Sequence, residues 1–217
     1  MSSVHYGIIA GEIAEAKKIS QEKLGRIPDI LRACLKDVNN FLEPDQQLAF
    51  EIVRMDEFLC LTKIPVIALK AGLMLASTFR SKSQKELGIR AELKLSLGIG
   101  PVELYKERLR ESDGTAFRMA DDNLRRMKRN QRLMISTTDQ NINDEMIVAC
   151  GFMDILIHEW SDEQAEAVFL SLTGMNQLEI STELDISQPA VNRRLKAAHL
   201  DATEKLLERF TNLVIPS

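Results

Sequence analysis

Aromatic side chains supply only 5% of the 217 residues, so any core must rest on leucine, isoleucine, valine and methionine. Long apolar runs are missing too. No stretch approaches the roughly 20 uninterrupted apolar residues that a membrane span requires, so no membrane partner is expected. The opening residues lack a basic region followed by an apolar run and a small-residue cleavage site, which argues against secretion. Cysteine is sparse: Cys34, Cys60 and Cys150 are odd in number, far apart and set among apolar neighbours. That fits buried free thiols better than a disulfide framework or a zinc site. The three histidines, His5, His158 and His199, are scattered, and neither a P-loop nor a dinucleotide fingerprint is present. A cytoplasmic protein is the expectation.

What is present is an ordinary globular composition, 45% hydrophobic and 28% charged. The net charge of −4 counts against a surface that binds nucleic acid all over, so any such contact must come from a local basic face.

Periodicity predicts alternating strands and helices. Val4 to Ala10, ending at Gly11, reads as a buried strand. Ser20 caps a helix through Leu24, Ile27, Ile30, Leu31, Leu35, Val38 and Phe41, with Pro28 in its first turn or marking a late start. Gln47 to Arg54 and Phe58 to Thr62 read as a hairpin with an acidic tip, and Pro65 opens a second helix. Ile89, Ala91, Leu93, Leu95 and Leu97 alternate as a strand closing at Gly98 and Gly100. Ser112, Asp113 and Gly114 form a turn, with Asp113 shaping it. A third helix through Phe117 and Leu124 follows, then a strand from Arg132 to Thr137. A helix from Asn141 to Glu159 comes next, anchored by Met146, Ile147, Cys150, Met153, Ile157 and Trp160. The fold class expected is α+β. Its first six elements follow the split βαβ, ferredoxin-like pattern of a four-stranded antiparallel sheet with two helices on one face. A boundary near Trp160 divides the chain into 1–159 and a small all-α unit, 160–217.

The tail carries the sharper signal. Ser161 to Gln164 is a capping box, and its helix presents Ala165, Val168, Phe169 and Leu172. A short helix, Asn176 to Leu184, is expected to bury Leu178, Ile180 and Leu184. Asp185, Ile186 and Ser187 make a turn, with Ser187 as N-cap and Pro189 in the first turn of the next helix. That helix turns Val191 and Leu195 inward and Gln188, Asn192, Arg193 and Lys196 outward, residue types that read base edges and hold phosphates. From Trp160 onward nine acids oppose five bases, so DNA contact would rest on this one face, and salt dependence is expected. The alternative is a three-helix cap that packs on the sheet or on a protein partner. The last helix, Asp201 to Val214, packs on the tail or serves a homodimer contact.

The stretch MNQLEISTELDISQPAVNRRLKAA resembles the region-4 helix-turn-helix of sigma factors and related response-regulator domains. By that likeness Gln188, Asn192, Arg193 and Lys196 face DNA, with Arg194 on the flank.

A second group of residues is acidic. Glu12 follows strand one, and Asp56 and Glu57 sit at the hairpin tip. In a split βαβ sheet these ends share an edge, where carboxylates can hold a divalent cation or a metal-bound phosphate. Gly11, Gly98 and Gly100 would let a nucleotide approach the backbone. The bland reading is that these acids are solvated turn residues. The basic run Arg125, Arg126, Lys128, Arg129 and Arg132 is likewise a solvated face or a weak attractor of phosphates.

Taken in order, IIAGEIAEAKK, VRMDEFLCL, LSLGIG and SDGTAFRMA, followed by the tail, resemble the SatD family. The family's N-terminal part is similar in turn to the nucleotide-cyclase fold, in which acids at these two places bind metal. The resemblance implies Glu12, Asp56 and Glu57 as metal ligands, with Mg²⁺ as the cofactor, and a nucleotide near Gly11, Glu12, Asp56, Gly98 and Gly100. Glu12 stands where the family has aspartate, and Met55 replaces a glycine. An arginine usual after the first motif is absent, with Lys17 or Lys18 as substitutes.

The main expectation is a DNA-binding regulator with a cyclase-like sensor and no assigned catalytic residue. One alternative is a Mg²⁺-dependent nucleotide-processing enzyme whose tail docks it. Another is a protein-interaction module that does not bind DNA.

Overall fold

The computed structural model describes residues 5–215. Val4 of the expected first strand, residues 1–3, and Pro216 and Ser217 of the expected tail unit lie outside the described residues.

Five strands and eight α-helices follow one another as β1 (His5–Ile13), α1 (Gln21–Asn40), β2 (Ala49–Ile52), β3 (Glu57–Thr62), α2 (Ile67–Leu87), β4 (Leu93–Pro101), α3 (Thr115–Arg126), β5 (Leu133–Thr137), α4 (Gln140–Glu159), α5 (Asp162–Leu172), α6 (Gln177–Glu183), α7 (Gln188–Ala197) and α8 (Leu200–Val214). The sheet order is β2-β3-β1-β4-β5. β1 lies antiparallel between β3 and β4, and β2 runs antiparallel to β3, which is the expected ferredoxin-like core. β5 then adds to β4 in parallel, so the sheet is mixed and five-stranded. The protein is α+β.

Alternation decides the two faces. On one, Ile9, Ile13, Cys60, Leu93, Leu95, Leu97 and Ile135 pack under α1, α2 and the inner side of α4. On the other, Ile8, Ala10 and Leu61 meet Ala116, Phe117 and Ala120 of α3. The first core continues into the helical tail through Val168, Phe169, Ile180, Val191, Leu195 and Phe210. α8 buries Leu200, Thr203, Leu206 and Phe210 against the chain itself, and Arg209 reaches Glu145 of α4 at 2.7 Å.

Several boundaries differ from the sequence expectation for local reasons. β1 does not stop at Gly11, because that residue pairs with both neighbouring strands and lies beneath the Phe58 ring. α1 runs straight through Pro28, giving up one backbone bond while Ile27, Ile30, Leu31, Cys34, Leu35 and Val38 stay buried. β4 begins at Leu93 and carries Gly98 and Gly100 inside it rather than at its end. Gly98 is required there because a Cβ would come within 2.0 Å of the Ala116 carbonyl oxygen, where α3 crosses the strand. Ile147, expected as an anchor of α4, is 65% exposed, while Met146, Cys150, Met153 and Ile157 face inward.

All three cysteines are free and buried, as the sequence suggested, and burial pushes the Cys34 and Cys150 thiols up to about 12.

Candidate nucleic-acid interface and acidic sheet edge

The tail helices are built from strong local signals. Ser161 and Gln164 form a reciprocal capping box on α5, and Asn176 and Glu179 form another on α6. Between α6 and α7 the chain turns at Asp185, whose φ of 51° is left-handed, and the Ile186 amide returns to the Ser181 carbonyl at 3.0 Å. Aspartate is among the few side chains that tolerate this conformation. Pro189 sits in the first turn of α7. Ser187 occupies the N-cap position, but its side chain makes no cap hydrogen bond. Its carbonyl accepts from the Ala190 and Val191 amides at 2.9 and 3.1 Å.

Ile180, Val191 and Leu195 are buried, and Leu184 and Ile186 pack against the same core. Leu178 was expected inside but is 65% exposed, because the turn of α6 that carries it faces solvent. The docked face of α7 leaves Gln188, Arg193 and Lys196 exposed, with Asn192 and Arg194 half-buried beside them. Among the described residues, Arg193, Arg194 and Lys196 enter no ion pair. A helix held on its core, with three unneutralised cations and two amides on its outer and flanking sides, has the chemistry to contact phosphates and base edges.

At the acidic edge, register brings two of the three candidate acids together. Glu12 of β1 is the cross-strand partner of Glu57 of β3, and the Ile13 amide donates to the Asp56 carbonyl at 2.9 Å. Each glutamate already has a cation: Glu12 pairs with Lys94 at 3.0 Å, and Glu57 with Arg54 at 3.3 Å. Among the described residues no group of three or more histidine, cysteine, aspartate or glutamate side chains converges as a metal cage. As arranged, the Glu12 and Glu57 carboxylates are both engaged in ion pairs. The three glycines named with it face protein. Gly11 lies under Phe58, Gly98 against the Ala116 carbonyl, and Gly100 within 3.3 Å, at the Cβ position, of Met119 and Thr138. Asp113 does shape its turn, accepting from the Gly114 amide at 2.7 Å and pairing with Arg118 at 2.8 Å.

Where the sheet meets the tail lies a buried charge cluster that local sequence patterns hardly reveal. Arg80, 2% exposed, donates to Glu92 at 2.9 Å and to the Ile157 and His158 carbonyls at 3.2 and 3.1 Å. Arg132 also donates to Glu92, and His158 Nδ1 lies 3.1 Å from it. Arg132, read as part of a solvated basic run, is therefore a core residue with 6% exposure. The only hint was a charged residue, Arg80, in the apolar run of α2.

No family model matches the chain, and no curated protein matches it. Solved structures similar to it are catalytic domains of nucleotide cyclases. The GGEEF domain of a diguanylate cyclase from Vibrio cholerae is 16% identical, with a TM-score of 0.43 over 63% of this chain and 84% of that one. The guanylyl cyclase Cya2 is 13% identical, with a TM-score of 0.46 over 63% and 77%. The catalytic core of a rhodopsin-guanylyl cyclase is 14% identical, with a TM-score of 0.46 over 67% and 82%. At these values the likeness carries over neither an activity nor a ligand.

Proposed function

We propose that this protein is a DNA-associated regulator in which 160–217 supplies the DNA contact and 1–159 is the sensing part. The observation that carries the reading is α7. Val191 and Leu195 fix it on the tail core, while Arg193 and Lys196 stay exposed and unpaired on the opposite side. Such a helix enters a major groove with its outward residues against base edges and phosphates. Because the tail as a whole is acidic, binding is local to this helix and weakens steeply with salt.

Arg193→Ala combined with Lys196→Ala is expected to lower affinity for duplex DNA on the order of a hundredfold, since each contact is worth roughly 1–3 kcal/mol. The log affinity against log salt line should flatten by about one to two charges. Fluorescence anisotropy on a labelled duplex reads both, and unchanged affinity in the double variant would sink the assignment.

A second reading, a nucleotide-processing enzyme, is favoured by the register that sets Glu12 opposite Glu57 with Asp56 at the next backbone position. A nucleotide carrying Mg²⁺ at this edge would have to take the carboxylates from Lys94 and Arg54. On this reading Asp56→Ala abolishes turnover of nucleoside triphosphates. Failure of the unaltered protein to turn over any of the common ones, assayed with Mg²⁺, removes the support for it.

A further inference from the structure

α7 differs from the other tail helices in its side chains. α5, α6 and α8 each carry acids, whereas α7 holds Arg193, Arg194 and Lys196 and no acid at all. Two of its outward residues are uncharged amides that take no part in holding the fold. Gln188, in the first turn, is exposed, and Asn192, four residues on along the same side, is half-buried. Among the described residues, neither side chain is hydrogen-bonded to the rest of the tail. By contrast Gln164 and Asn176 spend their amide groups in the capping boxes of α5 and α6. Pro189, next to Gln188, is exposed as well and offers an apolar ring.

We infer that Gln188 and Asn192 read adenine in the major groove, so that A·T pairs define the site bound by α7. The assignment presupposes the DNA contact of α7 and adds the bases it selects. An uncharged amide displaces no counterions, so it adds little to sequence-blind attraction and its worth lies in discrimination. A carboxamide sets a donor beside an acceptor, and on the major-groove edge adenine alone presents the matching pair. The amide N–H donates to adenine N7, and the amide oxygen accepts from the N6 amino group. Guanine offers two acceptors there, which leaves the amide oxygen facing O6 with no proton between them. Residues four apart on a helix stand about 6 Å apart along its axis, and successive bases about 3.4 Å. The two adenines therefore lie within about two base pairs of each other. The Pro189 ring beside Gln188 suits contact with a neighbouring thymine methyl. Arg193 and Lys196 supply affinity, and the two amides supply the choice of sequence.

Selection of duplexes from a random pool by the full chain, followed by fluorescence anisotropy on the selected duplex, tests this. Two adenines at that spacing should be enriched. Replacing one of them by 7-deazaadenine removes N7 while keeping pairing and charge, and should weaken binding about tenfold. Gln188→Ala or Asn192→Ala should cost a similar factor on the selected duplex. Each should also leave the salt slope unchanged and abolish the penalty at one of the two 7-deazaadenine positions. Lys196→Ala should instead weaken all duplexes alike and lower the slope by about one. Neither amide is tied into the tail, so circular dichroism should show an unchanged fold in both variants. Binding that is blind to sequence, or an adenine preference that survives both amide replacements, would overturn the assignment and leave the DNA contact standing. Failure to bind any duplex would overturn the DNA contact itself and the assignment with it.

Discussion

Replacing Glu92 by alanine is expected to cost about 3–5 kcal/mol of folding stability, the range found when one partner of a buried ion pair is removed. Glu92 is 8% exposed and is the shared acceptor for Arg80, at 2.9 Å, and for Arg132. Without it, two guanidiniums that are 2% and 6% exposed would lie together with no carboxylate between them. The loss is a large fraction of the 5–15 kcal/mol by which a domain is typically stable. Urea unfolding followed by the fluorescence of Trp160, the single tryptophan, reads it directly.

The same group sets an acid limb. Burial by itself would raise the Glu92 carboxyl, but the hydrogen bond and charge of Arg132, the charge of Arg80 and the bond to His158 outweigh it and hold the group below the ordinary carboxylate value. A carboxyl depressed in the folded state contributes stability that is fully present above the unfolded value of about 4.3. That contribution disappears as pH falls from there through the folded value. Glu92→Gln should therefore lower stability near neutrality and flatten its decline below about pH 4.3. An unaltered acid limb in the variant would show that the cluster does not titrate as described.

The second large effect belongs to Trp160, which is 1% exposed and closes α4 just before α5 begins. Its indole N–H donates to the Ala198 carbonyl at 2.9 Å, tying the start of the tail to the end of α7. Trp160→Ala should cost about 3–5 kcal/mol through the cavity it leaves. Trp160→Phe keeps most of the ring burial and loses mainly the donor, so about 1 kcal/mol is expected. Circular dichroism with urea separates the two, and equal costs would mean that the hydrogen bond rather than the packing dominates. Because the bond holds α7 in place, Trp160→Ala should also weaken any DNA contact made by Arg193.

Much of this architecture is written locally. The capping box at Ser161, the apolar run of β1, the alternation in β3, and the spacing of Val191 and Leu195 all produced the elements that their patterns predict. What local pattern could not show is what meets what. Gly98 reads as a strand end until α3 is seen crossing it with the Ala116 carbonyl. In α4 both Met146 and Ile147 are apolar and adjacent, and only the sheet's position decides which is the anchor. Arg80, Glu92, Arg132 and His158 are spread over 78 positions, so no window of sequence could join them. At the acidic edge the sequence brought Glu12 and Glu57 to mind together but not Lys94 and Arg54, the bases that hold them.

Contact between α7 and DNA can be read by titrating the intact protein into a labelled mixed-sequence duplex at low and moderate salt. Measurable binding at low salt is expected, falling steeply as salt rises, because a few cations on one helix displace counterions. No binding at either salt would contradict it, and would leave the tail as a surface for protein partners.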